Sequence, residues 1–236
     1  MSTAMEAEEL TKQLEGNVTT RCASFVEHAG RWCGRQVVIA ECGLGAKAAA
    51  QATADVIAIH RPAWVISAGF AAALADHLRR GHILMADRVV DSTHRELTVG
   101  LKLDPSVLAE TKGLHVGRLL TIDRLVHQPD QKRALGHEHA ALAYDMETWS
   151  VAEVCQRETT KFLSVRVISD ALDDRWPPEI ETLLDQRTWA GKLGAVAGAM
   201  WKRPAWVKDL LQLQEQAEIA TNRLAKFCAG VIPQLS

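Results

Sequence analysis

The sequence predicts an α/β fold in which helices cover a mixed, mostly parallel sheet. Apolar, β-branched segments alternate along the chain with segments that carry apolar residues at helical spacing. Several strand-like segments are apolar on both faces, which is typical of a sheet buried between helices. The 236 residues, 47% of them hydrophobic, suffice for one sizeable domain. We therefore expect a single domain over 1–236, with an α/β core over 1–178 and a helical tail over 179–236.

The first predicted strand is the β-branched run in RQVVIAECGLG, which ends at glycines as a buried strand entering a turn does. The alanine-rich AKAAAQATADVIAIH follows at helical spacing, and a second strand, RPAWVISAGFAAAL, begins after Pro62. Further strands are predicted in RRGHILMADRVVD, GLHVGRLLTID, ALAYDME and KFLSVRVISDALDD, and helices in DPSVLAETK and TWSVAEVCQRE. Beyond Pro178 the pattern is helical, and WVKDLLQLQEQAEIATNRLAKFC is long and amphipathic.

Composition excludes several classes of protein. The formal net charge of −2 argues against general nucleic-acid binding, which needs a basic excess. No apolar run approaches the roughly 20 residues that span a bilayer. The acidic start MSTAMEAEEL lacks the apolar core of a signal peptide, and the five cysteines are scattered without a C-x-x-C pair. We expect a cytoplasmic protein with reduced thiols and no membrane span.

Ligands of such sheets bind at the carboxyl ends of the strands. Acidic and small residues gather there: Gly43–Gly45, Gly69–Ala71, Asp123, Asp145–Glu147 and Ser169–Asp170. The turn ECGLGAKA loosely matches a dinucleotide fingerprint, but the next strand ends without the acid that would bind a ribose. The histidines of HQPDQKRALGHEHAA are predicted to lie in a solvated loop or helix start rather than in a metal site.

Glu147 and Asp170 each follow an apolar strand, and two readings of them stay open. Paired carboxylates in partly apolar surroundings separate in pKa, and such a pair suits cleavage through an oxocarbenium-like transition state. The acid assists the leaving group, while the anion binds ribose hydroxyls and favours developing positive charge. Alternatively, Asp145 and Asp170 merely cap a helix and a turn.

At these residues the chain resembles the nucleoside phosphorylase and nucleosidase superfamily, and within it the 5′-methylthioadenosine/S-adenosylhomocysteine nucleosidase branch. The resemblance spans roughly residues 4–175 and rests on AMEAEE, CGLGAKAAA, ISAGFAAAL and the pair YDMETWSVA and VRVISDALD. It implies a three-layer α/β/α fold, cleavage of an N-glycosidic bond, a small nucleoside substrate, no cofactor or metal, and a homodimer.

The resemblance also implies roles for individual residues. Glu147 would bind the ribose hydroxyls with Met146 packed against the sugar, and Asp170, oriented by Ser169, would protonate the purine at N7. Glu8 would activate water. Phe70 and Ala71, in the small-residue loop, would contact the sugar. Leu125 and Val126 would line the pocket for the base.

Three departures from the family pattern shape the functional expectation. Ser67 and Phe70 replace the arginine and serine that hold phosphate in phosphorolytic members, which favours water as the nucleophile. Only three residues precede AMEAEE, so either the start is misassigned or the first strand of the sheet is missing. The tail resembles that of the hopanoid-associated branch. A lipophilic 5′ group on the substrate would need an apolar channel. Four tryptophans could line such a channel: Trp176, Trp189, Trp201 and Trp206.

The leading hypothesis is thus a nucleosidase that releases adenine from a 5′-modified adenosine of the methylthioadenosine or S-adenosylhomocysteine type. A phosphorolytic enzyme, an adenosyl-lipid nucleosidase and a non-catalytic nucleoside-binding protein are the alternatives, followed by a NAD-linked oxidoreductase.

Overall fold

A computed structural model describes residues 1, 4–100, 111–174 and 206–235 of the chain. The helices are α1 (Ala4–Thr11), α2 (Ala46–His60), α3 (Pro129–His139), α4 (Thr148–Arg157) and α5 (Trp206–Val231), with a 3₁₀ turn at Ile232–Gln234. The strands are β1 (Glu15–Arg21), β2 (Val26–Trp32), β3 (Arg35–Glu41), β4 (Trp64–Ala73), β5 (Ile83–Asp91), β6 (Glu96–Thr98), β7 (Leu114–Thr121), β8 (Ala143–Asp145) and β9 (Lys161–Asp170).

The predicted α/β fold with a mixed sheet is confirmed. Six strands pair in the order β6-β5-β7-β8-β4-β9, and β9 also pairs with β5, so the sheet closes on itself. β4–β9, β5–β7 and β7–β8 are parallel, whereas β4–β8, β5–β6 and β5–β9 are antiparallel. Helices α2 and α4 pack together through Ala49, Val151 and Cys155, and a larger core on the other elements includes α1 and α5.

A second sheet of three antiparallel strands, β1-β2-β3, precedes the main one. Sequence patterning predicted β3 but neither β1 nor β2. All seven residues of β1 are exposed, so this strand has no buried face and no alternation of apolar and polar residues to reveal it.

The segment AMEAEE, which resembles a loop of the family, begins helix α1 instead. Ala7 and Leu10 are buried in the main core, which anchors the helix. No strand precedes α1 among the described residues, but Met1 pairs with the end of β3. Its amino group donates to Ala40 O at 3.1 Å, and Cys42 N donates to Met1 O at 3.0 Å.

The C-terminal helix α5 belongs to the same core as the sheet. Leu224 and Cys228 on this helix are 0% and 2% exposed and pack in the cluster that contains Leu163 and Val165 of β9. Trp176, Trp189 and Trp201 lie outside the described residues, as does the side chain of Trp206. Within the described part of the chain, no helix is long and apolar enough to cross a membrane.

Three strand ends meet at Ala72, and this positions the candidate site. Ala72 pairs with Tyr144 of β8 on one side and with Asp170 of β9 on the other. The carboxyl ends of the strands were expected to form one edge, but β8 runs antiparallel to β4. Asp145, at the end of β8, and Asp170, at the end of β9, come to the same end of β4 because Tyr144 and Asp170 both pair with Ala72.

Strand β9 contains one residue more than its partner at this point. Ala71 pairs with Ile168 and Ala72 with Asp170, so Ser169 has no partner in β4. Such a β-bulge shifts the side chains that follow it to the other face of the strand. In a regular ladder of the same residues, Ser169 would pair with Ala72, and Asp170 would lie on the same face of β9 as Arg166 and Ile168.

Candidate active site

Asp170 forms a buried ion pair with Lys132 of α3. Lys132 Nζ lies 2.5 Å from Asp170 Oδ2 and 3.2 Å from Ala171 O. The lysine is 0% exposed and the aspartate 6%, so each charge depends on the other for stabilisation. The second carboxylate oxygen, Oδ1, accepts a hydrogen bond of 3.0 Å from Ser169 Oγ. The carboxylate is therefore held from two directions.

Tyr144 fixes the segment that contains Leu125 and Val126. Its hydroxyl donates to Val126 O at 3.1 Å and accepts from Val126 N at 2.8 Å. Burial, and then the Asp170 carboxylate, raise the pKa of Tyr144, so this phenol stays neutral beside the acid. Val126 is buried and Leu125 is 39% exposed, which leaves the leucine side chain available for contact with a ligand.

Glu147 follows β8 and receives a hydrogen bond from the turn that precedes α2. Gly45 N donates to Glu147 Oε1 at 2.9 Å. Gly45 has φ +100, a conformation that L side chains rarely adopt, so a glycine is needed for this approach. Burial and the neighbouring Asp145 raise the pKa of Glu147 to about 7, although the hydrogen bond from Gly45 acts to lower it. The half-buried Met146 lies between these two acids.

Asp145 is the centre of a buried polar network. Its Oδ2 accepts from Arg166 Nε at 3.0 Å and from Arg166 Nη2 at 2.7 Å, and its Oδ1 accepts from Thr121 Oγ1 at 2.7 Å. Thr148 N also donates to Asp145 Oδ2 at 3.1 Å. Asp145 thus caps the start of α4, as expected, and it also forms a buried ion pair with Arg166.

Arg166 places a cation beside the small-residue loop. The sequence pattern did not predict this cation. Its Nη2 also donates to Ser67 Oγ at 2.7 Å and to Thr148 Oγ1 at 2.5 Å. The guanidinium is 4% exposed and its charge is matched by Asp145. A phosphate dianion would therefore compete with an existing ion pair for this arginine.

The structure places Glu8 away from these residues. Glu8 lies on the exposed side of α1, with a side chain 65% exposed and 3.1 Å from Lys12 Nζ. Glu6, two residues earlier, is 5% exposed and its Oε1 accepts from Phe70 N at 2.9 Å. The carboxylate that α1 directs at the small-residue loop is that of Glu6.

Phe70 and Ala71 connect the two halves of the site. Phe70 N binds Glu6, while Ala71 O accepts from Ser169 Oγ at 3.3 Å. A Cβ on Gly69, just before them, would lie 2.6 Å from Glu6 Oε1 and 2.9 Å from Arg166 Nη1, so a larger residue here would displace one of these side chains. Glu6 and Arg166 thus both approach the side of Gly69 on which a Cβ would stand. Arg166, Ser169 and Asp170 all belong to β9, which pairs along one edge of β4.

One group of described residues has the composition of a metal site. The ligand atoms of His94, Glu138 and His139 lie within 4.8 Å of one another. The rings of His94 and His139 are stacked, with centroids 4.4 Å apart and planes at 24°, so their in-plane lone pairs do not converge on a common point. We assign no metal role to this group.

The raised pKa of Glu147 gives a prediction about stability. Folded protein holds this proton more tightly than the unfolded chain, so the contribution is fully present below pH 4.5 and is lost as pH rises through about 7. Over this window, we expect the free energy of unfolding of the wild type to fall by up to about 3 kcal/mol relative to that of Glu147→Gln. Urea denaturation of both proteins at several pH values measures the difference, and parallel pH profiles would contradict it.

Comparison with known proteins identifies the family to which this closed, mixed sheet and its site belong. Residues 2–200 match the model of the phosphorylase superfamily. The chain is therefore a member of the phosphorylase superfamily.

Named relatives within the superfamily are nucleosidases. The 5′-methylthioadenosine/S-adenosylhomocysteine nucleosidase of Haemophilus influenzae (strain PittEE) is 27% identical over 202 residues, which cover 77% of this chain and 88% of the relative. The enzyme of that name from Marinomonas sp. (strain MWYL1) is 29% identical over 187 residues, 69% of this chain and 79% of the relative.

Solved structures show the same fold. The methylthioadenosine/S-adenosylhomocysteine nucleosidase of Neisseria meningitidis, in complex with methylthio-immucillin-A, superposes with a TM-score of 0.74 at 19% identity and covers 99% of this chain and 96% of that one. Futalosine hydrolase of Helicobacter pylori strain 26695 gives a TM-score of 0.71 at 18% identity, with 99% and 95% covered.

Proposed function

We propose that this protein is a purine nucleosidase that hydrolyses the N-glycosidic bond of a 5′-modified adenosine and releases adenine. The observation that carries the proposal is a group of three buried or half-buried acids near the end of β4. Glu6 binds Phe70 N, Asp170 pairs with Ala72, and the charges of Glu147 and Glu6 interact. The nucleosidases related in sequence support the substrate class, and the futalosine hydrolase shares the fold.

In the proposed reaction, the Lys132 ammonium gives a proton to the Asp170 carboxylate, and Asp170 donates it to N7 of the purine while the bond between C1′ and N9 breaks. The electron pair of that bond moves onto the purine, which leaves as neutral adenine. Glu147, as the anion, accepts hydrogen bonds from the ribose hydroxyls and stabilises positive charge on the sugar. Glu6 takes a proton from the water whose oxygen adds to C1′. Met146 and Leu125 are proposed to pack against sugar and base.

The environment of Ser67 supports water over phosphate as the nucleophile. Ser67 and Arg166 are both buried and bound to each other, and Arg166 is paired with Asp145. The phosphorolytic alternative therefore requires this network to open. The adenosyl-lipid alternative depends on tryptophans that lie outside the described residues. We propose that the enzyme is cytoplasmic, as its scattered cysteines suggest, and that it works as a homodimer, as its resemblance to the nucleosidases implies.

Adenine release from methylthioadenosine and adenosylhomocysteine tests the proposal. We expect adenine from at least one 5′-substituted adenosine in phosphate-free buffer, at a rate that added phosphate does not raise. Release that requires phosphate would indicate a phosphorylase. Binding of a methylthioadenosine analogue without release from any substrate would indicate a nucleoside-binding protein.

A matched pair of variants tests the assignment of the acid on α1. Glu6→Gln is expected to lower kcat by at least about 100-fold, because it removes the base that activates water. Glu8→Gln changes an exposed residue of the same helix and is expected to leave kcat within a factor of about two. If Glu8→Gln is instead the damaging change, α1 presents its other face to the substrate and the assignment is wrong.

A further inference from the structure

Five basic side chains come together on the surface at the loop before β5, the start of β7 and helix α5. They are His77, Arg79, His82, His115 and Arg223, which we call the basic cluster. His77 and Arg79 are exposed, and the other three are half-buried. None of the five belongs to the proposed active site. Because the whole chain has a formal net charge of −2, this local excess of positive charge needs its own explanation.

The three histidine rings of the basic cluster lie side by side. The rings of His82 and His115 are stacked, with centroids 4.9 Å apart and planes at 24°, and the His77 ring lies 5.3 Å from that of His115. His82 Nδ1 accepts from Arg79 N at 3.3 Å and lies 2.9 Å from His115 Nε2. Since Nδ1 is an acceptor, the neutral His82 ring carries its proton on Nε2.

Arg223 of α5 reaches the same place from the other side. Its Nη2 donates to Lys112 O at 2.6 Å. A Cβ on Gly113 would lie 2.8 Å from Arg223 Nη2 and 3.3 Å from His82 Nε2, and Gly113 has φ +77, which favours glycine. The guanidinium and the imidazole N–H therefore approach the open side of one glycine, where no side chain separates them.

The basic cluster forms no ion pair with a carboxylate in the part of the chain that the structure describes. The acids on the neighbouring segments are Asp76, Asp173, Asp174, Glu215 and Glu218. Arg133 of α3 binds Asp173 and lies 3.7 Å from Asp76, while Arg80 pairs with Asp174 at 2.6 Å. The two glutamates are exposed on α5, and neither lies within ion-pair distance of Arg223. The cluster therefore lacks a counter-ion among these acids.

The charges that act on the half-buried histidines are all positive. Burial, followed by the charges of Arg223, Arg79 and His77, lowers the pKa of His82. Burial and the other two histidines lower the pKa of His115 in the same way. Both rings are thus mainly neutral at pH 7, and an anion bound beside them favours their protonated forms. A metal ion is disfavoured here, because two arginines repel it and His82 Nδ1 is already bonded.

We propose that the basic cluster binds a multiply charged phosphate anion, such as the polyphosphate chain of a nucleotide. Arginine binds phosphate through paired N–H donors, and protonated imidazoles add charge-assisted hydrogen bonds. Arg223 Nη2 and His82 Nε2 bind the first phosphate group beside Gly113, and Arg79 and the other two histidines bind the groups that follow. A single carboxylate neutralises only part of this charge, which favours an anion with several phosphate groups.

Titration calorimetry of the full chain with tripolyphosphate tests the proposal. We expect a Kd of about 100 µM or less at about pH 6.5 and low salt. Binding is expected to be at least about tenfold weaker at about pH 8, because the histidines lose their protons. The opposite trend would follow from the arginines alone, since phosphate groups carry more negative charge at the higher pH. In His82→Gln/His115→Gln, we therefore expect binding that no longer tightens as the pH falls.

A matched pair of variants on α5 separates a site from general attraction. Arg223→Met is expected to weaken binding at least about tenfold. Lys226→Met removes the same charge from an exposed position of the same helix and is expected to change Kd by less than about twofold. Arg79→Met, at an exposed position of the loop, repeats the test if Arg223→Met lowers Tm.

Three results would overturn the proposal. The first is an absence of tripolyphosphate binding at the lower pH. The second is equal weakening by Arg223→Met, Arg79→Met and Lys226→Met, which would show attraction to the overall charge. The third is binding to phosphatidylglycerol vesicles without binding of tripolyphosphate, which would show a membrane-facing surface instead. These readouts are independent of nucleosidase activity.

Discussion

Asp170→Asn is expected to lower the rate of adenine release by about 10³-fold, because the amide cannot donate an acidic proton to the leaving purine. The variant keeps an oxygen that accepts from Lys132, so the packing around the pair is retained. Single-turnover measurements of adenine formation, with circular dichroism to confirm folding, provide the test. Asp173→Asn is the control, since Asp173 is three residues away and 72% exposed.

A second variant separates chemistry from folding at this position. Removing the Asp170 charge leaves Lys132 buried without its counter-ion, which alone is expected to destabilise the protein. In the double variant Lys132→Met/Asp170→Asn, neither charge is present and stability is expected to recover in part. Activity should not recover with it. Wild-type rates in the stable double variant would show that Asp170 is not the acid.

Arg166→Met is expected to cause the largest loss of stability, about 3–5 kcal/mol, which corresponds to a fall in Tm of roughly 10 °C. The change leaves the Asp145 carboxylate 5% exposed with no cation, and Ser67 and Thr148 lose a donor. Thermal unfolding measures the effect.

Arg157→Met is the control for this prediction, because Arg157 lies at the surface with a side chain 61% exposed. Adding Asp145→Asn to Arg166→Met should recover part of the loss, and a double-mutant cycle gives the coupling between the two side chains. Similar Tm values for Arg166→Met and Arg157→Met would mean that the buried ion pair contributes no net stability.

The sequence predicted the elements whose patterns repeat regularly. β3, α2, β4, β5, β7, β8, α4 and β9 all fall where apolar runs or helical spacing placed them. The hairpin of β1 and β2 has little buried surface and therefore no pattern that predicts it. At AMEAEE the resemblance implies a loop, whereas these residues begin α1, which the buried Ala7 and Leu10 anchor in the core.

The hydrogen-bond and ion-pair partners of the site residues could not be predicted from the sequence. Glu147 and Asp170 were identified from their positions after apolar strands, but their neighbours Gly45 and Lys132 come from distant parts of the chain. Arg166 carried a usable signal: a charged residue within an apolar strand must find a buried partner. For Glu6 and Glu8 no such signal exists, because only the rotation of α1 decides which acid is buried.

The bulge at Ser169 makes the site depend on the number of residues in β9 relative to β4 as well as on their identity. Inserting one residue between Ala71 and Ala72, opposite Ser169, would restore a regular ladder and turn the Asp170 carboxylate away from Lys132, although every functional side chain would still be present. One extra residue at this point of β4 is therefore more damaging than most substitutions. When an uncharacterised homologue is aligned with this chain, the presence of the one-residue mismatch between these two strands is a sharper guide to shared activity than overall identity.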